Sequence, residues 1–303
     1  MRYRYTASAG ALAGILMLGA CAPTATLKRG HDLAVAGTAY SESIVALVDA
    51  TVDPTIDLDS DQLVRVRPIL SSAERRVRLE GANDQLKKEI AQFGQLKRNN
   101  QLIKAYFQQL QALADSDAPK NAGAALKDLS AAITSANKTL RGSTHEVFTP
   151  AQQDYLGTLG ELVVKNVQAV ELRTALERDK GIIGEQLVWQ QRVVESLTKT
   201  LKRIYEIKDD SMKNNEVFAP YVRNEGLPGS WKEDRKVWLK ASFHIEALGQ
   251  TTDAAQQLQA LWLQFLRGDQ DLASLDSLLD DIQAITSAVA GFDQAERARK
   301  GTQ

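Results

Sequence analysis

The sequence predicts an all-α fold: an elongated antiparallel helical bundle with coiled-coil-like long helices. Three observations carry that expectation. Apolar residues recur at alternating steps of three and four along most of the chain, the spacing of one helix face. Leu, Ala, Gln, Lys and Glu recur throughout, residues that lose little side-chain freedom in a helix. Pro (7) and Gly (19) are sparse for 303 residues, and no alternating β-branched run of useful length interrupts the pattern.

Residues 1–20 have the layout of an export signal. Arg2 and Arg4 precede an apolar run from Ala7 to Leu18, and small residues follow. Leu18-Gly19-Ala20-Cys21 resembles the lipobox of bacterial lipoproteins. The resemblance implies that Cys21 is lipidated, palmitate included, and becomes the first residue of the mature chain. It also implies attachment to a membrane of the cell envelope. Ala22, where an Asp would favour the inner membrane, points by the same resemblance to the outer membrane, facing the periplasm.

Composition bounds the rest. The chain carries 37 basic and 38 acidic residues, and loss of Arg2 and Arg4 would leave 35 against 38. Such a balance has no footprint for nucleic acid, and no basic block suited to an anionic membrane stands out. Cys21 is the single cysteine, so no internal disulfide is possible and stability must come from packing. After residue 20 no apolar stretch approaches the roughly 20 residues of a spanning helix.

Residues 21–29 read as a polar tether, because Pro23 does not continue a helix comfortably. Residues 30–208 read as a long-helix bundle. Its first helix covers roughly 30–51 on Leu33, Gly37, Tyr40, Ile44 and Leu47, with Asp53-Pro54 as its end. A long segment, 59–115, repeats the pattern through Val66, Leu86, Ile90, Ile103 and Phe107. Unbroken, it would reach roughly 80 Å. Gly81-Ala82-Asn83 and Lys97-Arg98-Asn99-Asn100 are its weak points, where a bend is expected. Asp117-Ala118-Pro119 starts a short helix on Leu126, Leu129, Ile133 and Leu140, and Gly142 stops it. Thr149-Pro150-Ala151-Gln152 is a helix start, and the helix runs to about Met212. Its second half, Ile183, Leu187, Gln190, Val194, Leu197, Leu201 and Ile204, is the clearest coiled-coil seam in the chain. Gln190 either fixes register as a buried polar residue or is rotated outwards.

Residues 209–230 read as an irregular connection, punctuated by Pro220, Gly226, Pro228 and Gly229, whose apolar Val217, Phe218 and Tyr221 dock it on the bundle. Ser230 and Glu233 form a capping box that opens the C-terminal helices, 231–295. These pack on the same bundle: a face from Trp238 to Phe265 stopped by Gly268, then a last helix on Leu272 to Val289. Residues 296–303 are expected to fray.

The search for chemistry returns little. His31, His145 and His244 lie on separate segments, and Lys28, Gly142 and Ala241 stand three residues before them, so the Glu-x-x-His of carboxylate bundles is missing. No nucleophile elbow, phosphate loop or zincin motif occurs. No catalytic residue, metal site or cofactor is therefore expected. Asp269, Asp271, Asp276, Asp280 and Asp281 read as a solvated face, as do Arg75, Arg76 and Arg78 with Lys97 and Arg98. Trp238 and Trp262 belong to the core stripe. Trp231, with Tyr221 and Phe218, is the candidate partner-binding set, since exposed aromatics concentrate binding energy. The expected function is a non-enzymatic scaffold or partner-binding module held at the envelope. It implies an envelope protein partner, and residual exposed seam would give a homo-oligomer. The alternative is a lipoprotein that binds a small ligand or metal between its helices.

Overall fold

The computed structural model describes residues 15–115, 121–141, 167–223, 226–268 and 275–300. The chain is an all-α bundle with no strand among the described residues. In order these are α1 (Ile15–Val66), a 3-10 turn (Arg67–Ile69), α2 (Ser72–Ala114), α3 (Ala122–Arg141) and α4 (Val167–Met212). A π-helical turn (Lys213–Phe218) leads to α5 (Ala219–Val222), α6 (Trp231–Ala247), α7 (Gln250–Arg267) and α8 (Leu275–Lys300). His145, Gly142, the turn at Pro119 and the helix start at Thr149–Gln152 lie outside the described residues.

Helix α1 is the shared element, packing against α2, α4, α7 and α8. Its pairing with α2 is antiparallel, and its register can be read from paired residues along the seam. His31 meets Gln111, Glu42 pairs with Lys104 (2.8 Å), and Asp49 pairs with Lys97 (2.7 Å). Between these levels Gly37 faces Phe107. A Cβ at position 37 would stand 2.5 Å from that ring, so only glycine lets the two helices approach. Phe107, Tyr106 and Trp262 then pack edge to face, with centroids 5.9–6.5 Å apart, joining α2 to α7 in the core. Tyr205 stacks on Phe292 at 3.7 Å, fastening α8 to α4.

Several boundaries differ from the sequence expectation. Residues 21–29 are the continuation of α1 rather than a tether, and Thr26 is already buried. Helix α1 also runs through Asp53-Pro54. Pro54 itself and Thr51 one turn before it are buried in the bundle, and that packing outweighs the hydrogen bond the proline removes. The chain reverses instead at Pro68, inside the 3-10 turn, so residues 59–66 belong to α1. Helix α2 passes both weak points unbroken, because Asn99 and Asn100 turn inwards and find polar partners. Residues 209–230 are helical as far as Val222, with only the π turn departing from α geometry. The face from Trp231 to Phe265 is two helices, broken at Leu248-Gly249. Gly268 ends α7 in the left-handed conformation (φ 78°), as expected of a C-terminal glycine. The last helix continues to Lys300, through part of the stretch expected to fray.

Two glycines separate the packing and propensity effects of a methyl group. Gly37→Ala is expected to destabilise the fold by about 1–3 kcal/mol, because the Phe107 ring is fully buried and has nowhere to move. Gly81→Ala, on open helix with nothing within 4 Å, is expected to stabilise by up to about 1 kcal/mol. Urea denaturation followed by circular dichroism measures both, and equal shifts would contradict the close approach.

Candidate functional site

The end of α4 meets α6 in a group of four aromatic rings, and the backbone there explains how they are presented. Pro220 cannot donate to the preceding turn, and its ring crowds the carbonyl of Glu216. The helix relieves this by widening: the Ala219 amide donates to Asn214, five residues back, in a π turn. The extra residue rotates the faces. Val217 points inwards and is buried, while Phe218 and Tyr221 point outwards.

Tyr221, 67% exposed, stacks on Trp231 with centroids 5.4 Å apart and rings 18° from parallel. The Trp231 indole donates to the Val217 carbonyl at 3.0 Å, which fixes its orientation. Phe218 meets Trp238 edge-on at 5.8 Å, and Lys213 Nζ lies 5.8 Å from the Phe218 ring. Val222, Leu227 and Leu239, near them in sequence, are exposed as well. The structure thus brings the three sequence candidates together and adds Trp238, expected in the core but half-buried here. Trp262 is fully buried, as expected. Trp231 is less free than an exposed anchor: it is half-buried and braced, with one face given to Tyr221. The Ser230–Glu233 box is replaced by backbone bonds from Glu233 and Asp234 to the Ser230 carbonyl, and the Glu233 carboxylate pairs with Lys236 instead.

A second group of polar residues lies inside the bundle. Gln190 is buried and donates to Asn100 at 2.7 Å, so of the two open readings the inward one holds. One level along, the Tyr106 hydroxyl donates to Asp179 at 3.2 Å, and Arg178 clamps the same carboxylate through Nε and Nη2. Burial, then the Asp179 charge, push the Tyr106 hydroxyl well above its usual pKa, so it stays protonated as a donor. Nearby Gln186 is buried with neither amide atom hydrogen-bonded among the described residues. Sequence spacing flagged Gln190 alone. Asn100 reads there only as part of a weak point and Asp179 does not stand out, since each needs a partner on another helix to be seen.

No group of three or more His, Cys, Asp or Glu side chains is placed to hold a metal ion among the described residues. His31 lies between Gln111, Asp32 and Asp115 on the surface of the α1–α2 pair. Asp281 accepts from Gln257, and burial followed by the Asp253 charge raises its pKa. Residues 25–69 are long and apolar enough to cross a membrane by composition, but Leu33, Tyr40, Ile44 and Leu47 in this stretch are core of the bundle. Cys21 sits on the backbone of α1. The chain matches no protein-family model, no curated protein and no solved structure.

The seam bond has a measurable cost. Gln190→Met should destabilise by about 1–3 kcal/mol, because the Asn100 carbonyl oxygen loses its donor inside the core. Adding Asn100→Leu should recover most of that loss. A single variant as stable as the parent in urea would show that the bond contributes nothing.

Proposed function

We propose that the chain is a lipid-anchored cell-envelope protein, acting without catalysis as a scaffold that holds a partner protein. The partner-binding half rests on one observation: two aromatic pairs, Tyr221 on Trp231 and Phe218 on Trp238, join the π turn to α6 with Tyr221 and Phe218 exposed and Trp231 held by the Val217 carbonyl. An exposed apolar surface of pre-positioned aromatics is the composition of binding hot spots, since the rings need little ordering when a partner covers them. The attachment half rests on Leu18-Gly19-Ala20-Cys21 and its lipobox resemblance, with Ala22 favouring the periplasmic face of the outer membrane.

Continuity of α1 across Cys21 is compatible with this reading and adds to it. Processing before Cys21 would leave four residues between the lipid and buried Thr26. The bundle would then ride close to the bilayer, with no flexible stalk.

One observation favours a second reading, a small ligand held between helices. Gln186 presents a buried amide with unmet donors and acceptors on the α4 seam. A ligand there would raise the melting temperature with concentration. Gln186→Leu should stabilise the fold if the site holds nothing.

Two measurements test the main reading. Cys21→Ala should abolish palmitate labelling and leave the precursor uncut, and a processed, membrane-bound Cys21→Ala chain would end the lipoprotein reading. Tyr221→Ala with Phe218→Ala should leave the melting temperature within about two degrees, because both rings are exposed. The same pair should lose the envelope partner recovered by cross-linking in intact cells; unchanged recovery would rule out the patch.

A further inference from the structure

The far end of the α1–α2 pair carries a second surface, unlike the rest of the molecule in charge. Between Val64 and Leu79 the chain has five arginines and one carboxylate, Glu74, a formal +4 concentrated at the turn, with Asp61 and Glu80 bounding it on the two helices. In sequence, Arg75, Arg76 and Arg78 read as a solvated edge of one long helix, and no basic block suited to an anionic membrane stands out. The reversal at Pro68 instead folds them back beside Arg65 and Arg67 from α1.

Local bonds build this tip. Ser71 caps α2, its hydroxyl accepting from the Glu74 amide while the Glu74 carboxylate takes the Ser71 amide and hydroxyl. The one acidic side chain is thereby occupied. Arg75 Nε donates to the Arg67 and Leu70 carbonyls at 3.0 and 2.9 Å, bracing the turn. Arg65, Arg67, Arg76 and Arg78 are exposed, and none is within ion-pair distance of a carboxylate among the described residues.

Aliphatic side chains project among these arginines. Ile69 is 82% exposed, Val77 70% and Val64 69%. From Ser71 to Gly81 every residue is exposed. The first buried side chain of α2, Leu96, lies 24 residues beyond Ser72, about 36 Å along the helix. The tip is therefore a convex, basic end on a two-helix arm, with β-branched hydrophobes at its apex.

We infer that this tip docks on an anionic lipid surface. Convexity favours that occupant over a protein, which would have to supply a matching socket. A bilayer interface deforms around Ile69 and Val77, while guanidinium groups meet lipid phosphates in any orientation. Each arginine near such a surface contributes about 1 kcal/mol, and the contribution falls within a Debye length. The inference does not depend on the fate of Cys21.

The test uses the full chain, captured on a sensor by a C-terminal tag and exposed to vesicles. One set is pure phosphatidylcholine, the other equal parts phosphatidylcholine and phosphatidylglycerol. Any binding by the apolar N-terminus is common to both, so the readout is the excess on the anionic set. That excess is expected to vanish at high salt and to fall roughly thirtyfold in Arg76→Gln/Arg78→Gln. Ile69→Ser/Val77→Ser should weaken it with its salt dependence unchanged. Circular dichroism should be unaltered throughout, since these side chains bury nothing. Equal capture of the two vesicle sets, or an excess indifferent to both double variants, overturns the inference. Arginine-dependent capture of polyglutamate without any vesicle excess also overturns it, in favour of an acidic polypeptide.

Discussion

The face of Phe107 lies where a side chain at position 37 would be, and much of the bundle is arranged around that contact. It brings α1 and α2 together closely enough for Glu42–Lys104 and Asp49–Lys97 to fall into line on the same register. It also sets Phe107 against Tyr106 and Trp262, which carries α7 into the same core. A shift of one residue between α1 and α2 would put Cβ atoms against the ring and part both ion pairs. The exposed pairs contribute little energy themselves; they agree with a register that steric exclusion has already chosen.

Apolar packing alone would leave α4 freer to slide, because leucine seams tolerate alternative registers. The polar rungs remove that freedom. Gln190 finds Asn100, and Tyr106 finds Asp179, at matching levels of two antiparallel helices. Displacing α4 by one turn would break both cross-helix bonds inside the core, and a buried polar group that loses its partner costs about 1–3 kcal/mol. Specificity of this kind is the best-attested use of polar residues in helical seams.

The fold class was legible because helical periodicity is a local property, and Leu33 through Leu47 and Ile183 through Ile204 report it directly. Helix ends were less so. Pro54 reads as a terminator locally, yet its neighbours Asp49 and Asp57 are held from α2 and α4, and sequence spacing has no access to those partners. Pro68 reads as tolerable and is where the chain turns. The candidate site was partly legible: Phe218, Tyr221 and Trp231 stood out as aromatics in a segment rich in Pro and Gly. What spacing could not give is the π turn that divides Val217 from Phe218, nor the rotation of Trp238 onto the surface, since both depend on how α4 and α6 meet. Arg75, Arg76 and Arg78 read as one edge with Lys97 and Arg98, and spacing does not join them to Arg65 and Arg67, because the reversal at Pro68 that does so is not visible in it.

The exposed start of α2 gives the molecule two stabilities rather than one. From Ser71 to Gly81 the helix is held by its cap and its own backbone bonds, with no buried side chain to tie its melting to that of the core. Such a stretch opens on its own, at a free energy near that of an isolated helix end, while Phe107 and Trp262 stay packed. Amide exchange would grade down α2 from Leu113 towards Ser72 like a thermometer laid along the chain. The arm can rearrange at its far end without any of that motion being charged to the body.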